Sequence, residues 1–181
     1  MCNKSIVFIS PHLDDVVLSC GGLIHLLACF DYQVDVITIF AGSPTHSLSS
    51  FAQWMHQVWE LPFDAPRTRR EEDRQATSSL GANAIHLPFQ SSIYRIDPVT
   101  RQYLYTHKLD VFSNNWQREK ALISKISQHL LFTLKKLNWE FLFSPLGVGN
   151  HVDHMLTRQA IESGIEDLEK IKHYCDLEIK K

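Results

Sequence analysis

Residues 10–15 read Ser-Pro-His-Leu-Asp-Asp, and residues 145–154 read Pro-Leu-Gly-Val-Gly-Asn-His-Val-Asp-His. The first segment supplies His12, Asp14 and Asp15; the second supplies His151, Asp153 and His154. A lone aspartate at a helix start is explained by capping of free N–H groups and by the macrodipole. Capping does not require a second His/Asp group elsewhere in the chain. Imidazoles and carboxylates are ligands for divalent cations, and two imidazoles with one carboxylate leave positions open for water and substrate. Zn2+ is the first choice for such a set, and Fe2+ accepts the same ligands. A water on that cation has its pKa lowered to about 7. A carboxylate not spent as a ligand can then take the proton, and adjacent Asp14 and Asp15 can divide these tasks because they point in different directions at a helix start. A histidine left off the metal, held protonated by a carboxylate such as Asp153, can donate to a developing oxyanion. His151 and His154 lie one helical turn apart, so they point roughly the same way. Together these residues suit metal-assisted hydrolysis.

For the two segments to share one cation, the fold must bring them together. Residues 5–10 form a continuous apolar run of the kind shown by a strand buried on both faces. From Val16 to about Phe30 the apolar residues recur at helical spacing, and residues 34–40, Val-Asp-Val-Ile-Thr-Ile-Phe, read as a second strand. Residues 41–66, with Gly42, Pro44, Pro62 and Pro66, read as a long irregular excursion around one short helix. A helix is expected over 67–80 with Gly81 as its cap, then a strand over 83–89, a helix over 113–138, a strand over 139–145, a helix over 153–170 and a strand over 172–179. This alternation predicts an α/β fold: a three-layer, Rossmann-like, open and mainly parallel sheet flanked by helices, formed by residues 1–181 as a single domain. In such folds ligands sit outside the carboxyl ends of the strands. The segments after the first and fourth strands therefore fall on one edge.

The chain has 181 residues, 44% hydrophobic and 21% charged, with a formal net charge of −2. That balance excludes a generally basic nucleic-acid surface. The turn after the first strand also lacks the Gly-x-Gly-x-x-Gly spacing of a dinucleotide site, and its two carboxylates would repel a pyrophosphate. No stretch has the length of a membrane span and no secretory signal is visible, so the expected location is cytoplasmic. Cys2, Cys20, Cys29 and Cys175 show no metal-binding spacing and are expected as free thiols. Residues 67–74 interleave arginines with Glu71, Glu72 and Asp73, as a solvated, self-paired helix face does. Histidines 25, 46, 56, 86, 107, 129 and 173 are assigned solvated or hydrogen-bonded roles. Trp54 and Trp59 either stack on a sugar face or anchor the long loop.

Ser-Pro-His-Leu-Asp-Asp followed by His-Val-Asp-His resembles the PIG-L/LmbE-like zinc-dependent N-deacetylases, which remove acetyl from N-acetylglucosamine-type amino sugars and related glycoconjugates. The Arg-x-x-Glu…Ala…Leu-Gly spacing of Arg69, Glu72, Ala76, Leu80 and Gly81 is similar to a helix of that family. The resemblance runs from residue 5 to about residue 177. It implies that His12, Asp15 and His154 ligate zinc, that Asp14 is the general base, and that His151 is the charged group at the oxyanion or leaving amine, oriented by Asp153. It places Arg69 against substrate and gives Glu72 a role in helix packing. The implied partner is a small amino sugar or glycoconjugate, and a strand edge near the C-terminus allows a homo-oligomer. Members continue past the strand resembling residues 173–179, so this chain is expected to be a version shortened at its C-terminus. The competing expectations are a binding module that keeps the metal and a sugar without turnover, and a hydrolase of a non-sugar amide. Acetate release separates the binder from either hydrolase.

Overall fold

The computed structural model describes residues 4–61 and 64–176. Its elements in chain order are β1 (Ser5–Ser10), α1 (Asp15–Cys29), β2 (Gln33–Thr38), α2 (Ser50–Val58), α3 (Ala65–Ser79) and β3 (Asn83–His86). Then come 3₁₀ turns at Ser92–Tyr94, Lys108–Phe112 and Asn114–Glu119, followed by α4 (Lys120–Leu134), β4 (Trp139–Pro145), α5 (Val152–Gly164), a 3₁₀ turn at Leu168–Lys170 and β5 (Ile171–Tyr174). The strands form one sheet in the order β3-β2-β1-β4-β5, and every pairing is parallel. The α/β sheet expected from the sequence is therefore present.

β1 lies at the centre and all six of its residues are buried. Its alternating side chains serve two layers. Val7 and Ile9 pack with Ile126 and Leu130 of α4 and Leu156 and Ile161 of α5. Ile6 and Phe8 pack with Val16, Cys20 and Ile24 of α1. An unbroken apolar strand is what burial on both faces selects.

Two helices depart from their expected bounds. Residues 114–119 form a 3₁₀ turn ahead of α4, and that turn carries Glu119 inward to Arg95 and Tyr105. α5 ends at Gly164, where a Cβ would run into Ser127 Oγ of α4, so a side chain there would force the Ser127 hydroxyl to turn away. β5 is shorter than expected, and residues 177–179 lie outside the described residues. Cys2 does as well, while Cys20, Cys29 and Cys175 are free thiols. Among the described residues no helix is long and apolar enough to cross a membrane.

The segments between β2 and α4 build a third apolar cluster over the strand ends. Phe51 and Ala52 of α2 meet Ile93, Tyr94, Tyr105 and Val111 there, and Val152 at the start of α5 joins them. This cluster stands above the sheet edge where the His/Asp segments emerge.

Candidate metal centre and active site

β1 and β4 are neighbours, and the strand order reverses between them, so the turns leaving their carboxyl ends flank a crevice. The turn after β1 is braced from within. Ser10 Oγ donates to the His12 carbonyl and accepts from the Val16 N–H, while the His12 N–H donates to Asp15 Oδ2 at 2.8 Å. Asp14 holds a left-handed backbone, φ 92°, and its side chain caps nothing. The simple capping account therefore fails for Asp14.

The turn after β4 is built on left-handed positions at Gly147, Gly149 and Asn150. A Cβ at Gly147 would lie 2.9 Å from Met155 Sδ. His151 is the N-cap of α5, its Nδ1 accepting from the Asp153 N–H at 3.2 Å. α5 then carries Asp153 and His154 into the buried crevice, with relative exposures of 0% and 1%.

The two turns converge on Asp15. Its Oδ2 is 3.3 Å from His12 Nδ1 and 3.3 Å from His154 Nε2. Charge-assisted hydrogen bonds are shorter, about 2.7–2.9 Å. Ligand bonds of about 2.0–2.1 Å around a tetrahedral cation place neighbouring donors roughly 3.3–3.4 Å apart, which is the spacing found. The outer nitrogens are also occupied. His12 Nε2–H donates to Asp153 Oδ2 at 2.8 Å, and His154 Nδ1–H donates to Asp176. A carboxylate behind each imidazole fixes its tautomer with the inner nitrogen free to bind a cation.

Charge makes the same point. Asp15, Asp153 and Asp176 are all buried, and Asp153 pairs with the Arg95 guanidinium, which also pairs with Glu119. Buried carboxylates in such number need further positive charge beside them. Burial opposes ionisation of Asp15, yet His154 and His12 hold its carboxyl well below the ordinary range. Burial likewise opposes a charge on the imidazoles, but Asp15 and Asp153 bring His12 to about 9, and Asp15 and Asp176 bring His154 to about 10. The donor set therefore fits a divalent cation, which takes the place of those protons.

His151 also belongs to this cluster. One nitrogen from each of His12, His151 and His154 lies within 4.8 Å of the others. Because His151 Nδ1 accepts a backbone N–H, the neutral ring carries its proton on Nε2. That ring is then a donor rather than a ligand. Burial and the neighbouring imidazoles push its pKa well below the ordinary value, against the pull of Asp153. The expected imidazolium held by the Asp153 carboxylate is thus replaced by a neutral ring held through the Asp153 main chain. The carboxylate itself turns to His12, Ser91, Ser92 and Arg95.

Asp14 faces the other side of the crevice with 56% of its side chain exposed. Arg69 of α3 donates to Asp14 Oδ2 at 3.1 Å and to the Leu13 carbonyl at 2.8 Å, and stacks over Trp59. The surrounding protein raises the Asp14 pKa, with Arg69 opposing. Asp73 Oδ1 accepts the Asp14 N–H, and His86 Nε2 lies 2.7 Å from Asp73 Oδ2. The crevice opens into a cavity of about 530 Å³ whose walls include Phe51, Trp54, Met55, Trp59, Val111 and Phe112.

A family model described as PIG-L, GlcNAc-PI de-N-acetylase, matches residues 7–165. The chain belongs to the PIG-L family. A similar curated protein is 2'-N-acetylparomamine deacetylase of Niallia circulans, 28% identical over 173 residues, covering 87% of this chain and 61% of that protein. The chain thus spans about three-fifths of that relative's length. Among solved structures, the deacetylase–bog complex of the teicoplanin biosynthesis pathway has a TM-score of 0.85 at 30% identity, covering 96% of this chain and 68% of the other. The zinc-inhibited form of teicoplanin deacetylase Orf2 has a TM-score of 0.86 at 29% identity, with the same coverage.

In this PIG-L chain the fold brings together His12, Asp14, Asp15, His151, Asp153 and His154 around one crevice, with Arg69 at its mouth. Glu72, expected to pack, is exposed and lines the cavity instead. Trp59 is anchored by Arg69 and His56, whereas Trp54 is 45% exposed at the cavity wall. Sequence reasoning missed Asp176, Arg95, Glu119 and Asp73, and it set His86 aside. Asp176 stands two residues beyond β5 and obeys the strand-end rule, but the expected strand ran through it. Arg95 follows no periodic pattern, and nothing local distinguishes it.

Proposed function

We propose that this protein is a metal-dependent N-deacetylase acting on an amino sugar or glycoconjugate. The spacing of His12 Nδ1, Asp15 Oδ2 and His154 Nε2, with Asp14 beside them and not in the ligand set, carries this reading. Family membership and the deacetylase activities of the similar proteins support it.

His12, Asp15 and His154 would hold the cation, for which we propose Zn2+, with Fe2+ as the alternative. When bound, it supplies Lewis acidity and acidifies water. Asp14, free of the ligand set, accepts the proton of the water that attacks the acetamide carbonyl. Arg69 fixes the Asp14 carboxylate. The neutral His151 Nε2–H donates to the oxygen on which charge develops. As the C–N bond breaks, the proton held by Asp14 passes to the leaving nitrogen, giving acetate and a free amine. Trp54 offers a face for stacking on the sugar or its substituent.

The test is acetate release from N-acetylglucosamine and N-acetylparomamine by the purified chain loaded in turn with Zn2+, Fe2+ and Co2+. A relative is described in a zinc-inhibited form, so zinc is titrated from one equivalent upward. Cation-dependent acetate release is expected. Tight cation binding with no acetate from any substrate would leave a binding module and overturn the proposal.

A further inference from the structure

We infer that Arg95 is a positioning residue for the cation site: it holds the Asp153 carboxylate against His12 Nε2 and so keeps the His12 Nδ1 lone pair turned toward Asp15 and His154. The inference rests on the cation site of the proposed function.

Arg95 comes from outside the sheet. It follows the Ser92–Tyr94 turn and is 7% exposed. Its Nη1 donates to Asp153 Oδ1, its Nη2 donates to Glu119 Oε1 at 3.0 Å, and its Nε lies 2.7 Å from Glu119 Oε2, bent away from hydrogen-bond geometry. The rings of Phe40 and Tyr105 lie 5.2 and 5.3 Å from the guanidinium carbon, and the Tyr105 hydroxyl donates to Glu119. A planar fork clamped between two carboxylates and two rings has little freedom. A lysine point charge reproduces neither the fork nor the stacking.

This clamp leaves Asp153 one orientation. With Oδ1 on Arg95, Oδ2 accepts from the Ser92 N–H at 2.9 Å, from Ser91 Oγ at 3.1 Å and from His12 Nε2–H at 2.8 Å. The consequence for His12 follows from imidazole chemistry. A neutral ring has one N–H, and while Nε2 carries it, Nδ1 is a ligand. Were Asp153 to swing away, the proton could move to Nδ1 and be donated to Asp15, 3.3 Å distant. That tautomer removes a ligand atom. Arg95 suppresses it without touching the cation.

The experiment measures Co2+ and Zn2+ dissociation constants of the full chain by competition with a chromophoric chelator, for the parent, Arg95→Met and Arg95→Lys. Circular dichroism and metal-free melting report folding. The expected result is a 10–100-fold weaker affinity in both variants, the range for loss of an outer-shell partner. Affinity within twofold of the parent in a folded variant, even with a lowered melting temperature, makes Arg95 a purely structural pin and overturns the inference. Should neither variant fold, the same affinities in Glu119→Gln, which loosens the other side of the Arg95 clamp, decide: a loss of tenfold or more supports the inference, and an affinity within twofold of the parent overturns it. A parent chain that binds no divalent cation overturns the cation site itself, an outcome distinct from a parent that binds and variants that bind equally.

Discussion

Below the cavity, His12 sits in the turn leaving β1, and Asp15, Asp153 and His154 sit in the first turns of α1 and α5, where each is buried or half-buried and hydrogen-bonded or ion-paired to another. Above it, Phe51, Trp54, Met55, Val111 and Phe112 come from α2 and the Lys108–Phe112 turn and line the cavity with apolar surface. The floor is polar and fixed by paired charges; the walls are apolar. Charge spacing therefore sets the chemistry, while non-directional contact sets what fits over it. Arg95 joins the two, entering from the wall side to grip Asp153 in the floor.

Substitutions can break this contrast. The largest effect is expected from His154→Ala, which removes a ligand: cation binding by the purified protein should disappear and acetate release should fall to background. Retained stoichiometric metal would show that another group, His151 first, completes the site. Next in size, Asp14→Asn should keep the cation and lower kcat by about 10²–10⁴-fold, the range for loss of a general base. Normal kcat in that variant would remove Asp14 from the reaction. Asp176→Asn strikes the floor from behind, through His154 Nδ1, and should weaken cation affinity about 10–100-fold in chelator competition. Unchanged affinity would mean that the turn after β5 only braces Gly147, whose N–H Asp176 also accepts. The smallest effect belongs to the wall. Trp54→Ala should leave cation affinity unchanged and raise KM a few-fold with kcat held, as loss of uniform binding does. A fall in kcat instead would show the wall shaping the transition state.

Most of the floor was legible because its donors lie close in sequence. His12, Asp14 and Asp15 fall within four residues, as do His151, Asp153 and His154, and the strand-end rule joins the two groups. Asp176 was hidden because the expected strand ran through it, whereas β5 ends at Tyr174. Arg95, Asp73 and His86 were hidden for a stronger reason: each acts through a partner at least 13 positions away and has no local signature. The same gap explains the reversed expectation at His151. Spacing alone puts Asp153 beside it, but only the position of Arg95 tells which way that carboxylate turns.

The sequence by itself determined the alternation of strands and helices, the burial of β1 and the residue types able to hold a cation, since these depend on side-chain chemistry and on periods of two and 3.6 residues. The tertiary structure decided which nitrogen of each histidine faces inward. An imidazole's tautomer is set by its hydrogen-bond partner, and those partners lie 141 positions away for His12 and 22 for His154.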